Sequence, residues 1–286
     1  DIALNYVVLS SICNLALGIG NLWVLGFGSL LGAGGLFAWL TASGWSTASA
    51  LAVTAVGFAL VAISLGAVAG RLPGDEFATV SLASAFATNA GIFSVVGSGI
   101  SSLGFSDFRT VSLAGMCGLA LGSAAYVSRL QRTRLRTSLL IVRDRNETAR
   151  VERVHPESAR FWLHSVAAAF LFPASVLAVT FYDGYSPGLH STSRCLLWFG
   201  ATFAFGLNSA RAALASALVL SLVPRIFRTI LEGQSAAYIA AALGFSDGDV
   251  ATAYSGVLSE LTLALFFLAS VRLHRGSLFG AKTSWV

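Results

Sequence analysis

Charge is what this chain has least of. Only 11% of its 286 residues are Asp, Glu, Lys or Arg, against 56% hydrophobic, and its mean hydropathy is +0.77. That composition excludes a sizeable water-soluble domain. Cysteine is scarce too. Cys13, Cys117 and Cys195 are far apart, each in or beside apolar sequence, which suits buried packing and not a disulfide or metal set. The four histidines, His155, His164, His190 and His274, share no metal-ligand spacing. There is no nucleophile–base pair, no pair of catalytic carboxylates and no phosphate-cradling loop. Without a G-x-x-x-x-G-K-[ST] run the chain cannot be its own ATP motor. No enzyme activity, metal or cofactor is expected.

What is present is apolar sequence in long runs, interrupted by one arginine island. Arg129 to Arg160 is the only long polar segment and holds about half of the arginines, with apolar sequence from Val111 to Val127 before it and from Phe161 to Thr180 after it. A helix needs about 20 apolar residues to cross a bilayer, and arginine- and lysine-rich loops stay on the cytoplasmic side. The 129–160 loop is therefore expected to face the cytoplasm. The isoelectric point near 9.5 has the same origin. The basic residues form no aromatic-interleaved face, so no nucleic-acid partner is expected.

Residues Ile2 to Leu40 are long enough for one full span and a second, partial or broken one. The chain starts at Asp1 without a methionine, which leaves its true start open, and the N-terminal run is too long for a cleaved signal. Gly28 and Gly32 make a GxxxG step that lets helices approach closely in lipid. Ala48 to Ala69 reads as the next span, closed by the turn Arg71-Leu72-Pro73-Gly74. Phe77 to Val96, Thr110 to Val127 and Phe161 to Thr180 follow. Arg194 to Val223 exceeds one crossing and is interrupted by Asn208 and Arg211. A weaker stretch, Ala236 to Phe245, precedes the last span, Tyr254 to Val271. The fold class is thus all-α, a polytopic membrane bundle with about eight hydrophobic segments in one domain spanning 1–286. The basic tail from Arg272 is also expected on the cytoplasmic side. An even number of crossings must then separate it from the arginine loop, yet Phe161–Thr180, Arg194–Val223 and Tyr254–Val271 make three. Either Arg194–Val223 dips in and returns, or Ala236–Phe245 helps to form a fourth.

Several motifs, in order, resemble the membrane permeases of the branched-chain amino-acid ABC importers. The run Asn14-Leu15-Ala16-Leu17-Gly18 through Leu25-Gly26-Phe27-Gly28-Ser29-Leu30-Leu31-Gly32-Ala33-Gly34 aligns without a gap to that family's N-L-x-x-G-x-x-G-x-x-S-L-G-H-G-x-x-x-G-x-G. Arg71-Leu72-Pro73-Gly74 followed by Phe77-Ala78-Thr79-Val80-Ser81-Leu82 is similar to R-L-R-G-x-Y-x-A-x-V-T-L. Leu139, then Val142-Arg143-Asp144, then Glu147-Thr148-Ala149-Arg150 looks like A-L-R-A-I-R-E-D-E-x-A-A-R. Val223-Pro224-Arg225-Ile226-Phe227-Arg228 resembles L-P-E-L-L-R, and His274-Arg275-Gly276-Ser277-Leu278-Phe279-Gly280 resembles P-R-G-L-L-G. The departures are chemical: Asn21, Val24 and Phe27 stand where the family has Gly, Ser and His or Gln, and Phe86 replaces its glutamate.

The resemblance implies a type II ABC-importer bundle with a second permease subunit, two cytoplasmic ATPase subunits and an extracytoplasmic solute-binding protein as partners, in a bacterial or archaeal cytoplasmic membrane. Within the 129–160 loop it implies an ATPase-coupling helix: Leu139 and Val142 would supply apolar contact, and Arg143, Asp144, Glu147 and Arg150 polar contacts. Glu147 and Arg150 are three apart and could pair. It also implies a substrate path near Asn14, Asn21, Val24, Phe27, Phe86 and Asn89, less polar than an amino-acid path. The asparagines could equally hydrogen-bond between helices. Glu260, inside the last apolar run, is expected to face protein, because an acidic group at a helix centre in lipid costs about 2.5–3.5 kcal/mol; a place at the membrane boundary is the alternative. A degenerate permease serving as a non-conducting scaffold is the rival function, and a membrane-embedded enzyme comes third.

Overall fold

The computed structural model describes residues 2–20, 22, 24, 27–72, 74–97, 99–130, 132–144, 155–186, 192–205, 210–232 and 264–265. These are almost all helical. Helix α1 (Ile2–Cys13) runs on as a π-helix, Asn14–Ile19, every residue of which is buried. Two short helices follow, α2 (Phe27–Leu31) and α3 (Ala33–Ala42), joined at Gly32. The long helices are α4 (Thr47–Arg71), α5 (Gly74–Val96), α6 (Arg109–Leu130) and α8 (Pro156–Tyr182), with the shorter α7 (Arg134–Asp144) between the last two. Helices α9 (Thr192–Phe205) and α10 (Ala210–Glu232) are the last long elements among the described residues.

Local chemistry sets the ends. The Ser46 hydroxyl accepts from the Ser49 N–H at 3.3 Å, which caps α4. At its other end Leu72 is extended (φ −91°, ψ 148°), the conformation forced on a residue before proline, here Pro73. Pro156 occupies the first turn of α8, where its missing N–H costs nothing. Asp183 then stops α8 in the left-handed region at φ 50°.

The helices alternate in direction, which sorts the connections into two ends. At one end the Arg160 guanidinium donates to the Leu72 carbonyl at 3.1 Å, joining the start of α8 to the close of α4. Helix α7, which packs with the ends of the π-helix and α6 and the start of α8, lies at this end too. At the other end β1 (Ile100–Ser101) pairs antiparallel with β2 (Gly184–Tyr185). There the Phe105 N–H donates to Asp183 Oδ1 at 2.6 Å, the Ser112 and Thr180 hydroxyls lie 2.8 Å apart, and Arg109 stands over the Phe181 ring. These contacts hold α6 against α8.

Helix α8 is the central post. In its most apolar stretch 50% of residues are buried, against 22% for α4, 17% for α5 and 28% for α6, which lie around it. The outer faces of these helices and of α10 expose Val56, Leu60, Ile63, Phe93, Val111, Leu121, Leu214 and Leu218. So much contiguous apolar surface has no place in water. Among the described residues four helices, Thr47–Arg71, Glu76–Val96, Ser106–Leu130 and Pro156–Tyr182, are long and apolar enough to cross a membrane. The molecule is accordingly a multi-pass helical membrane protein. The remaining described apolar helices, Leu4–Ile19, Ala33–Ala42 and Arg211–Val223, are shorter.

The expected single run from Arg194 to Val223 is two helices. Helix α9 begins a few residues after β2, and Arg225 near the end of α10 lies within electrostatic reach of Tyr182 at the end of α8. The end of α10 thus lies toward the β1–β2 end, and the other expected alternative, a crossing helped by 236–245, falls outside the described residues. The last expected span, 254–271, falls outside the described residues apart from 264–265.

Candidate coupling and pathway sites

The arginine end carries a built feature. After α6 the Thr133 hydroxyl donates to the Leu130 carbonyl at 2.8 Å, and α7 restarts at Arg134. Its apolar side chains fall three apart at Leu139 and Val142, so they share one face. Leu139 is buried with Leu15 and Ile19 of the π-helix, Val127 and Leu130 of α6, and Leu163 of α8. Thr137, on another face of α7, is exposed.

This corrects the expected role of Leu139 and Val142. Both are buried within the chain, 1% and 2% exposed, so neither offers apolar contact to a soluble partner. The reason is physical: a short amphipathic helix at a bundle end gains more by seating its apolar stripe on the core than by exposing it. The described helix also lies earlier than Arg143–Arg150. Arg143 and Asp144 are its last two residues. Glu147, Arg150 and their expected pairing lie outside the described residues.

The expected path residues do not converge. Asn14 opens the π-helix and is fully buried. Val24 and Phe27 sit in the main core cluster, where Phe27 stacks on Phe199 with centroids 5.5 Å apart. Phe86, by contrast, is 58% exposed on α5. One aligned set thus splits between core and outer surface, which corrects the reading of Val24, Phe27 and Phe86 as neighbours along one path. Apolar side chains at these positions fill the interior or face outward, and neither place needs a polar partner. Asn89 is half-buried on α5, and Asn21 lies outside the described residues.

The GxxxG step falls where α2 meets α3. Gly32 is the junction between α2 and α3 and keeps helical dihedrals, φ −58° and ψ −18°. The close approach falls two residues later. A Cβ on Gly34 would stand 2.8 Å from the Ser175 carbonyl oxygen of α8, and one on Gly35 would stand 2.7 Å from Ile92 Cγ2. Glu260, expected to pack between helices, lies outside the described residues.

One residue passed over in the sequence stands out in the structure. His164 of α8 is fully buried, neither ring nitrogen has a hydrogen-bond partner, and its ring meets Phe77 edge-on at 6.0 Å. The only signal for it was its position three residues inside the apolar run that begins at Phe161. Among the described residues no group of three or more His, Cys, Asp or Glu side chains could hold a metal ion. Cys13 and Cys117 are free thiols, Cys13 buried and Cys117 half-buried. Comparison with protein-family models, with characterised proteins and with solved structures gave no match.

Proposed function

We propose that the chain is the membrane permease subunit of an ABC importer, a divergent relative of the branched-chain amino-acid permeases. The order of five short motifs along the chain supports this reading. The observation that carries it is the seat of α7. Leu139 is buried on the π-helix that follows α1 and on α8, so a push on α7 from the cytoplasm reaches both at once. In this scheme two cytoplasmic ATPases close on ATP, displace α7, and rock the bundle against a second permease subunit. An extracytoplasmic binding protein delivers the solute. A π-helix is a departure from the α ladder that recurs at functional sites, and here it lies directly under the moving part.

The solute is small and less polar than a typical amino acid. A desolvated ammonium or carboxylate needs polar partners or costs several kcal/mol, and the positions aligned with the family's polar ones carry Val24, Phe27 and Phe86; in this scheme Val24 and Phe27 reach the solute only when the bundle rocks open. That same pair favours the second reading, a permease kept as a non-conducting scaffold, because both side chains are packed shut in the core. Purification from native membranes, followed by ATP hydrolysis measurements in vesicles, separates the two. Transport requires that an ATPase co-purifies and that its hydrolysis rises with added solute and binding protein. A scaffold retains the ATPase and shows no solute response, and absence of any ATPase removes both readings.

A further inference from the structure

Between α3, α4 and α5, on the half of the bundle toward the β1–β2 end, lies a cavity of about 410 Å³. Ligand pockets run to roughly 300–1,000 Å³, so it has room for a small molecule or a segment of chain. Missing side chains make the space. Gly32, Gly57 and Gly91 line it, one from near each helix, and a Cβ on Gly91 would meet nothing within 4 Å. The walls are apolar apart from two threonines. One of them, Thr54, is 0% exposed and its hydroxyl has no hydrogen-bond partner.

The position of the mouth identifies the occupant. Val61 and Val95 line the cavity and are also exposed on the outer surface of α4 and α5, the surface that faces hydrocarbon in a bilayer. Trp39 lines it near the end of α3, and Trp45 is exposed in the following turn. Tryptophans at that height mark the headgroup level. A ligand entering here comes sideways from the leaflet at the β1–β2 end, with its polar end near Trp39 and its apolar body running inward. We infer that the cavity holds one acyl chain of a membrane lipid. An acyl chain has the slender apolar form the space requires. The site requires only that α4 and α5 face lipid, and it stands whether or not the chain transports a solute.

Photolabelling tests it on the full chain in phospholipid vesicles. The probe is a trace of phosphatidylcholine carrying a diazirine on one acyl chain, with adducts located by peptide mass spectrometry. The expected result is labelling of residues 54–61 and 88–95 severalfold above the equally exposed 111–121 stretch of α6. Gly91→Phe, which fills the space, should lower that labelling at least fivefold. If Gly91→Phe fails to assemble, Gly57→Leu fills the same cavity, since a Cβ there meets Leu36 at an ordinary 3.6 Å. Uniform labelling over α4, α5 and α6 overturns the inference, as does labelling that the filling variants leave unchanged. Loss of the adduct on adding free leucine at low concentration, with lipid in excess, would assign the cavity to a transported solute and overturn the lipid assignment.

Discussion

Replacing Gly34 with alanine adds one methyl group where α3 crosses α8, and the structure sets its cost. The new Cβ would lie 2.8 Å from the Ser175 carbonyl oxygen and 3.1 Å from Val179 Cγ2. The nearer atom belongs to the backbone of the central helix. It cannot turn aside as a flexible side chain could, so the two helices must move apart. Overpacking of this kind costs about 1–3 kcal/mol. Alanine recovers about 1 kcal/mol of helix propensity over glycine, which leaves a net loss of up to about 2 kcal/mol and a ratio of folded to unfolded protein up to roughly 30-fold smaller. Gly118→Ala on the exposed face of α6 is the matched control, because a Cβ there meets nothing within 4 Å. The assay heats detergent-solubilised protein and measures the fraction that stays monodisperse. Gly34→Ala should fail at a lower temperature than wild type, and Gly118→Ala should match or exceed wild type. Equal stability of the two variants would refute the close α3–α8 approach.

Three further outcomes follow from single contacts. His164→Leu removes two buried nitrogens without partners, and an unsatisfied buried polar group costs about 1–3 kcal/mol; heat stability should therefore hold or rise, and a clear fall would show that the imidazole is satisfied. Leu139→Ala, at a site 1% exposed, should cost about 2–5 kcal/mol locally and expose the 129–160 segment to trypsin faster, whereas Leu140→Ala, half-buried beside it, should change cleavage little. Asp183→Ala leaves the Phe105 N–H without its acceptor and should speed hydrogen exchange there, while Asp183→Asn keeps an oxygen and tolerates the left-handed backbone, so its exchange should stay near wild type.

Long apolar runs were readable because a bilayer demands a minimum helix length. The expected Ala48–Ala69, Phe77–Val96, Thr110–Val127 and Phe161–Thr180 correspond to Thr47–Arg71, Gly74–Val96, Arg109–Leu130 and Pro156–Tyr182. Which face of each helix points inward was not readable. A helix in lipid is apolar all round, so Phe86 outside and Phe27 inside look alike in sequence. The seat of α7 was hidden for the opposite reason: Leu139 and Val142 stand out among arginines as apolar contacts, but nothing in the sequence says whether they meet the bundle or a partner. The tie between Asp183 and Phe105 joins residues 78 positions apart, beyond any local pattern.

The central claim is that α7 lies at the cytoplasmic end of the bundle and receives an ATPase. Thr137 is exposed on α7, and Phe108 is exposed at the opposite end. The decisive measurement places Thr137→Cys or Phe108→Cys in a chain whose Cys13, Cys117 and Cys195 are alanine. Sealed native-membrane vesicles of each orientation are then treated with an impermeant thiol cross-linker. The account predicts that Thr137→Cys cross-links to a cytoplasmic ATPase in inside-out vesicles only, at a yield that changes with ATP, and that Phe108→Cys reacts only in right-side-out vesicles. Reaction of Thr137→Cys from the outside, or reaction from the inside with no ATPase captured, would contradict it.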